Sequence, residues 1–292
     1  MDFYIYLIVG FLGAAFGSFA GAQVWRLRAK QLVADKKDGQ KVSASELKKL
    51  KALVGKKFTK DRSRCLSCQH ELRWYDLLPI ISWLSVAGKC RYCRKPIGWT
   101  EILLEVGLAA LFVVSLLVWP VPIDNYLEII KLVLWLSSLV VLAVLFVYDA
   151  RWMLLPDVAN ISFVALGTIY AGISLIGSGD LAGDLWSLLG AGLILSGLYL
   201  LIYVVSRGKW IGFGDVKLGL GMALFLLDWR LAFAALFAAN LIGTIMVLPA
   251  MITGKIRRDM KLPFGPLLIA GFLLAWYFAP LIIQWYQSMI FI

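Results

Sequence analysis

Apolar side chains gather into eight runs along the chain, at about residues 3–25, 101–119, 127–148, 158–176, 185–205, 216–227, 231–252 and 263–285. A bilayer core takes roughly 20 consecutive apolar residues of helix. The pattern therefore predicts an all-α protein, a polytopic membrane helix bundle of about eight spans. The sixth run is short, and only Asp228, Trp229 and Arg230 part it from the seventh. The first run is preceded by Asp2 and by no basic residue. It lacks the charged start of a secretory signal and reads as a retained first helix.

Composition agrees with that class. Of 292 residues, 61% are hydrophobic and 16% charged, whereas soluble domains are about half apolar and a quarter charged. The net charge of +11 is unevenly spread: residues 26–100 carry 19 Lys or Arg against 6 Asp or Glu, a net of +13, which leaves −2 for the rest. Basic residues beside spans mark the cytoplasmic side. Threading the spans from there puts PVPIDN, GSGDLAGD and DW outside, with no Lys or Arg, and DARWMLLPD, SRGKWIGFGD and TGKIRRDMKL inside, each with at least one. The expected organisation is a first transmembrane helix at 1–25, a cytoplasmic basic region at 26–100 and a membrane-embedded bundle at 101–292. The basic excess then serves orientation and the anionic lipids of the inner leaflet, and no nucleic-acid partner is needed to explain it. Residues 34–62 read as a solvated insertion with a short helix at 43–53.

This orientation brings two carboxylates to one end of the bundle. Asp149 closes the third span in VLFVYDARWMLLPD, and Asp215 opens the sixth in GFGDVK, 66 residues later. Ionisable groups at the ends of apolar spans are functional candidates. Two carboxylates in one low-dielectric cleft share a proton, so one activates water while the other protonates a leaving group. That chemistry needs no histidine, and the chain has one, His70, which disfavours a Ser–His–Asp hydrolase. Gly212 and Gly214 would loosen the backbone around Asp215 for a close-lying peptide. Simpler roles stand beside this one. Asp215 or Asp157 would cap a helix N-terminus, Asp149 would pair with Arg151, and Lys217 would either snorkel or tune the site.

The four cysteines form two C-x-x-C pairs, Cys65/Cys68 and Cys90/Cys93, with 21 residues between them. Paired knuckles of this kind hold one tetrahedral Zn through four thiolates, which predicts a structural zinc module at 62–97. Two disulfides are the alternative, disfavoured in a cytoplasmic region.

YDARWMLLPD and GFGDVKLG together resemble the paired signatures of the type IV prepilin peptidases, intramembrane aspartic proteases with a Gly-x-Gly-Asp motif. GSF at 17–19, LPFGP at 262–266 and the Pro-and-Ser-Trp stretch joining the cysteine pairs resemble the same family. The resemblance implies that Asp149 and Asp215 are the catalytic pair, with Asp157 accessory and Lys217 matching the second motif. It implies substrates that are prepilins or pseudopilins, cut after a glycine that ends a short basic leader, at the cytoplasmic face of the inner membrane. It also implies N-methylation of the new N-terminus from S-adenosylmethionine, with Glu105 at the position of a glutamate associated with that activity. The chain departs from the family around this second function: Ala20, Gly21 and Ala22 stand where x-Asn-Val is usual, and Thr100, Glu101 and Ile102 replace the Arg-Tyr-Pro approach. Two other classes bound the reading. A transporter would place ionisable groups near span centres, and a membrane-anchored zinc scaffold would need neither Asp149 nor Asp215.

Overall fold

The computed structural model describes residues 3–54, 62–252 and 263–290. The loop TGKIRRDMKL, Leu262 of LPFGP and residues 55–61 of the insertion lie outside the described residues. Every apolar run is helical: α1 (Phe3–Lys37), α4 (Trp99–Leu117), α5 (Tyr126–Trp152), α6 (Asp157–Ile176), α7 (Leu181–Gly192), α8 (Leu198–Ser206), α9 (Phe213–Leu226), α10 (Trp229–Ile252) and α11 (Gly265–Ile290). Two short helices, α2 (Ala44–Leu50) and α3 (Ile81–Ser85), lie between α1 and α4. A π-helical turn, Leu193–Gly197, joins α7 to α8 without a break.

Six helices among the described residues are long and apolar enough to cross a membrane, α7–α8 counting as one, and α11 adds a shorter apolar stretch at Gly265–Phe278. The protein is a multi-pass membrane protein. The sixth run is the exception to eight full spans. Helix α9 has 14 residues, about 21 Å of rise, and ends where Leu227 turns left-handed at φ 59°.

The chain divides into two compact units, residues 1–117 and 118–292. In the first, α1 lies backbone to backbone on α4. A Cβ on Gly13 would come within 2.6 Å of the Leu108 carbonyl, and one on Gly17 within 2.5 Å of Glu105 Cα. Small residues four apart are how membrane helices approach this closely without a hydrophobic driving force. Helix α1 continues well past its apolar run. Ala29 and Leu32 there pack with Leu50 and Leu53 in a small core, which folds part of the insertion back on α1. Arg28 clamps Glu46 with two bonds of 2.9 Å.

In the second unit the core is aromatic. Trp135 of α5 is fully buried, stacked on Trp276 at 4.0 Å and edge-on to Phe225 of α9 at 5.7 Å. Phe163 of α6 stacks on Phe225 at 5.3 Å. Apolar side chains such as Val158, Ile161, Leu201 and Phe237 face outward, as lipid contact requires. The aromatic cluster fixes α5, α6, α9 and α11 against one another, and so fixes the ends that carry the carboxylates.

Candidate active site

Helix α5 ends just after Asp149. Met153 turns left-handed at φ 53° and its N–H returns to the Asp149 carbonyl at 2.8 Å. The Asp149 side chain is buried, 5% exposed, and its Oδ2 accepts the Gly265 N–H at 2.9 Å. Gly265 opens α11, so the carboxylate sits on the free N–H groups of a helix start. A Cβ here would fall 2.8 Å from that Oδ2, so a side chain at 265 would push the carboxylate aside.

Asp215 is 9% exposed and stands in the first turn of α9, after the N-cap Gly212. It is therefore helical, and the loosened loop expected around it is absent. Gly214 instead packs into Leu155, whose Cβ a side chain would approach to 2.8 Å. The Asp215 carboxylate turns back toward the Gly212 backbone N–H and lies within range of the Asp149 charge. Both carboxylates are thus buried, one at the end of α5 and one at the start of α9, within electrostatic range of each other. Such a pair can hold one proton between them and work as base and acid on one water.

Lys217 neither snorkels alone nor faces the pair. Its Nζ bonds Asp157 Oδ1 at 2.6 Å and stands 5.2 Å over the Phe213 ring, tying the first turns of α6 and α9. Three residues after Asp157, fully buried Asn160 donates to the Gly214 carbonyl at 3.2 Å. Ser196 of the π turn donates to the Val216 carbonyl at 3.0 Å. Tyr199, 3% exposed, lies in electrostatic range of Asp215. Asn160 was legible only as a partner one turn from Asp157 on the same face. Nothing in the apolar run LSGLYLL marks Tyr199.

The first unit holds the other two predicted sites. The four Cys Sγ atoms all lie within 4.8 Å of one another, with Cys65 and Cys93 at 3.9 Å, and none is in a disulfide. Tetrahedral thiolates at a Zn–S distance of 2.3 Å stand about 3.8 Å apart, so the cluster could hold a metal ion. The two knuckles are built alike. The Gln69 and Arg94 N–H groups return to the carbonyls of Cys65 and Cys90 at 2.9 Å, and both residues are left-handed, φ 62° and 59°. Burial opposes ionisation of Cys90, but backbone N–H bonds from Cys93 and Tyr92, with the neighbouring Cys65 and Cys93 side chains, lower its thiol to about 7. Asp76 bolts the second knuckle down, accepting from the Tyr92 hydroxyl at 2.8 Å, Arg91 Nε at 3.0 Å and the Arg73 N–H at 3.1 Å.

Glu105 is 6% exposed. It accepts the Ile80 N–H at 2.6 Å and the Ser18 hydroxyl. Ile80 has φ 62°, a strained value for a β-branched residue, so the carboxylate holds the turn into α3 in place.

A family model described as the bacterial peptidase A24 N-terminal domain matches residues 11–119, and the type IV leader peptidase family model matches residues 136–248. A prepilin leader peptidase/N-methyltransferase of Bacillus subtilis is 30% identical over 230 residues, 78% of this chain and 86% of that protein. The chain belongs to the type IV leader peptidase family. A Burkholderia pseudomallei protein of the same description is 30% identical over 213 residues, 72% of this chain and 65% of its own length. One from Aeromonas hydrophila is 29% identical over 230 residues, 78% of this chain and 75% of that protein. No solved structure is significantly similar to the chain. The first matched stretch nearly coincides with the first compact unit, and the second lies within the other. The resemblance read from the motifs is thereby borne out, and the chain is a peptidase of this family.

Proposed function

We propose that the chain is an intramembrane aspartic endopeptidase that removes the short basic leader of type IV prepilins or pseudopilins. It cuts after a glycine, at the cytoplasmic face of the inner membrane. The observation that carries this reading is the buried pair Asp149 and Asp215, on different helices and within range of each other's charge. Gly265 fixes Asp149 through its N–H, and Asn160 fixes the peptide just before Asp215. A water between the carboxylates loses a proton to the ionised one and attacks the scissile carbonyl. The other gives its proton to the leaving amide nitrogen. The pair titrates as a unit.

Asp157 and Lys217 are accessory, holding α6 and α9 together at the mouth of the site. Leader recognition rests on acidic groups as well as helix packing. Glu101 supports this, since its buried Oε2 has no partner among the described residues. Cys65, Cys68, Cys90 and Cys93 would hold a structural Zn, whose only role would be to clamp the two knuckles. The basic residues around this module would face anionic lipid headgroups.

The relatives' names add an N-methyltransferase. S-adenosylmethionine would be the donor, and Glu105 the residue to examine. Its engagement with the Ile80 N–H and Ser18 favours a holding role in this chain. The test is cleavage of a prepilin by the detergent-solubilised protein, with the product mapped by mass spectrometry. A single cut after the leader glycine is expected. A methyl group gained only with S-adenosylmethionine would establish the second activity, and no cut at all would defeat the reading.

A further inference from the structure

Tyr199 carries a hydroxyl that the peptidase mechanism above does not use. It is 3% exposed, and its Oη has no hydrogen-bond partner among the described residues. A buried hydroxyl left unpaired costs roughly 1–3 kcal/mol, and such groups persist where a ligand supplies the missing bond. Its surroundings are those of the carboxylate pair. It lies in electrostatic range of Asp215, and its ring meets Phe264 edge-on at 5.5 Å. Phe264 immediately precedes Gly265, whose N–H holds Asp149.

The backbone is arranged to bring the ring there. The π turn Leu193–Gly197 ends two residues before Tyr199, and such turns shift helix register and concentrate at functional sites. That turn is pressed directly onto α9: a Cβ on Gly219 would come within 2.0 Å of the Leu195 carbonyl. Ser196 fastens the same turn to the Val216 carbonyl, one residue from Asp215. The widened turn and Asp215 are thus one rigid assembly.

We propose that Tyr199 is a further catalytic residue, whose hydroxyl donates a hydrogen bond to the carbonyl oxygen of the scissile peptide as it becomes tetrahedral. This rests on the peptidase reading. The water oxygen bonds to the carbonyl carbon, its proton passes to the ionised carboxylate, and the C=O π pair moves onto oxygen, facing the phenol. On collapse the C=O re-forms, the C–N bond breaks and the nitrogen takes the proton held by the other carboxylate. Tyr199 gains and loses nothing in the cycle. The two carboxylates exchange the protons, so the carbonyl oxygen is the acceptor left for a neutral donor.

The test is Tyr199→Phe in the solubilised protein, with a type IV prepilin as substrate and Asp215→Asn alongside. Phe keeps the ring against Phe264 and removes only the hydroxyl. We expect kcat to fall about a hundred- to a thousandfold, as for loss of one oxyanion donor, with KM within about twofold. Tm should be unchanged or higher, because the lost hydroxyl has no partner among the described residues. Wild-type kcat in Tyr199→Phe would overturn the proposal. So would a rise in KM alone, which marks ground-state binding, or a fall in Tm alongside activity, which marks a structural role. Failure of the wild type to cut, or full activity in Asp215→Asn, would instead remove the peptidase reading, and this proposal with it.

Discussion

Gly265→Ala perturbs the site by one methyl group. The added Cβ would stand 2.8 Å from Asp149 Oδ2 and 3.2 Å from its Cγ. Ordinary contact begins at 3.4 Å, so the carboxylate must retreat by about 0.6 Å, a displacement of the size that costs catalysis heavily. The same retreat stretches the 2.9 Å bond from the Gly265 N–H. Misplacement of a reacting group by about 1 Å lowers rates on the order of a hundredfold, and loss of a hydrogen bond to a charged group costs about 1.5–3 kcal/mol. We therefore expect kcat/KM for prepilin cleavage to fall between about ten- and a hundredfold, with a lower Tm. Gly172→Ala is the control, since no atom lies within 4 Å of its added Cβ, and it should cleave at the wild-type rate. Wild-type kcat/KM and Tm in Gly265→Ala would refute the claim that this N–H positions Asp149.

Removing the Lys217–Asp157 pair should weaken cleavage less than removing either buried carboxylate. The pair is partly exposed, 27% and 68%, and such pairs contribute about 0–1 kcal/mol. Lys217→Met, Asp157→Ala and the double variant should show equal, modest losses of activity in a double-mutant cycle; additive losses would show that each acts alone. Cys90→Ser should lower the bound metal below one zinc per chain by elemental analysis and lower the melting temperature of the first unit. Retention of full metal content would place the ion elsewhere. Burial opposes ionisation of Asp76, but bonds from the Tyr92 hydroxyl, the Arg73 N–H and Arg91 outweigh it and hold the carboxyl below its usual range. Its contribution is therefore present above the unfolded value of about 3.9 and lost as pH falls through the lower folded value. Tm against pH should show an acid-side loss in the wild type that Asp76→Asn lacks, and parallel curves would refute this.

The helical bundle and its carboxylate ends were legible because apolar run length and the position of charge dictate them. The shortness of α9 was legible too, since its apolar run stops at 227, but nothing in ALFLLDW announces that Leu227 turns left-handed. Asp149 and Asp215 could be named as candidates from their places at span ends and from the motifs around them, and the four Cys from their spacing. Their supports could not. Gly265 stood in the LPFGP motif, but its backbone N–H bond to Asp149 carries no sequence signature, and Tyr199 follows a π turn hidden in a largely apolar run. Asp215 read as part of a loosened loop because glycines flank it, whereas in the structure Gly214 serves helix packing against Leu155. The partner of Glu105 was equally hidden, since a backbone N–H from a strained Ile80 can only be found once the chain is folded.

The central claim is that Asp149 and Asp215 act as one unit, and the most direct test is the cleavage rate of Asp149→Asn, Asp215→Asn and the double variant against wild type. Asn keeps the shape and removes the carboxylate. Residues that share one water and one proton are grossly non-additive, so each single variant should lose about as much activity as the double, with all three folded and membrane-inserted. Substantial cleavage by either single variant, or multiplicative losses in the double, would contradict a shared dyad.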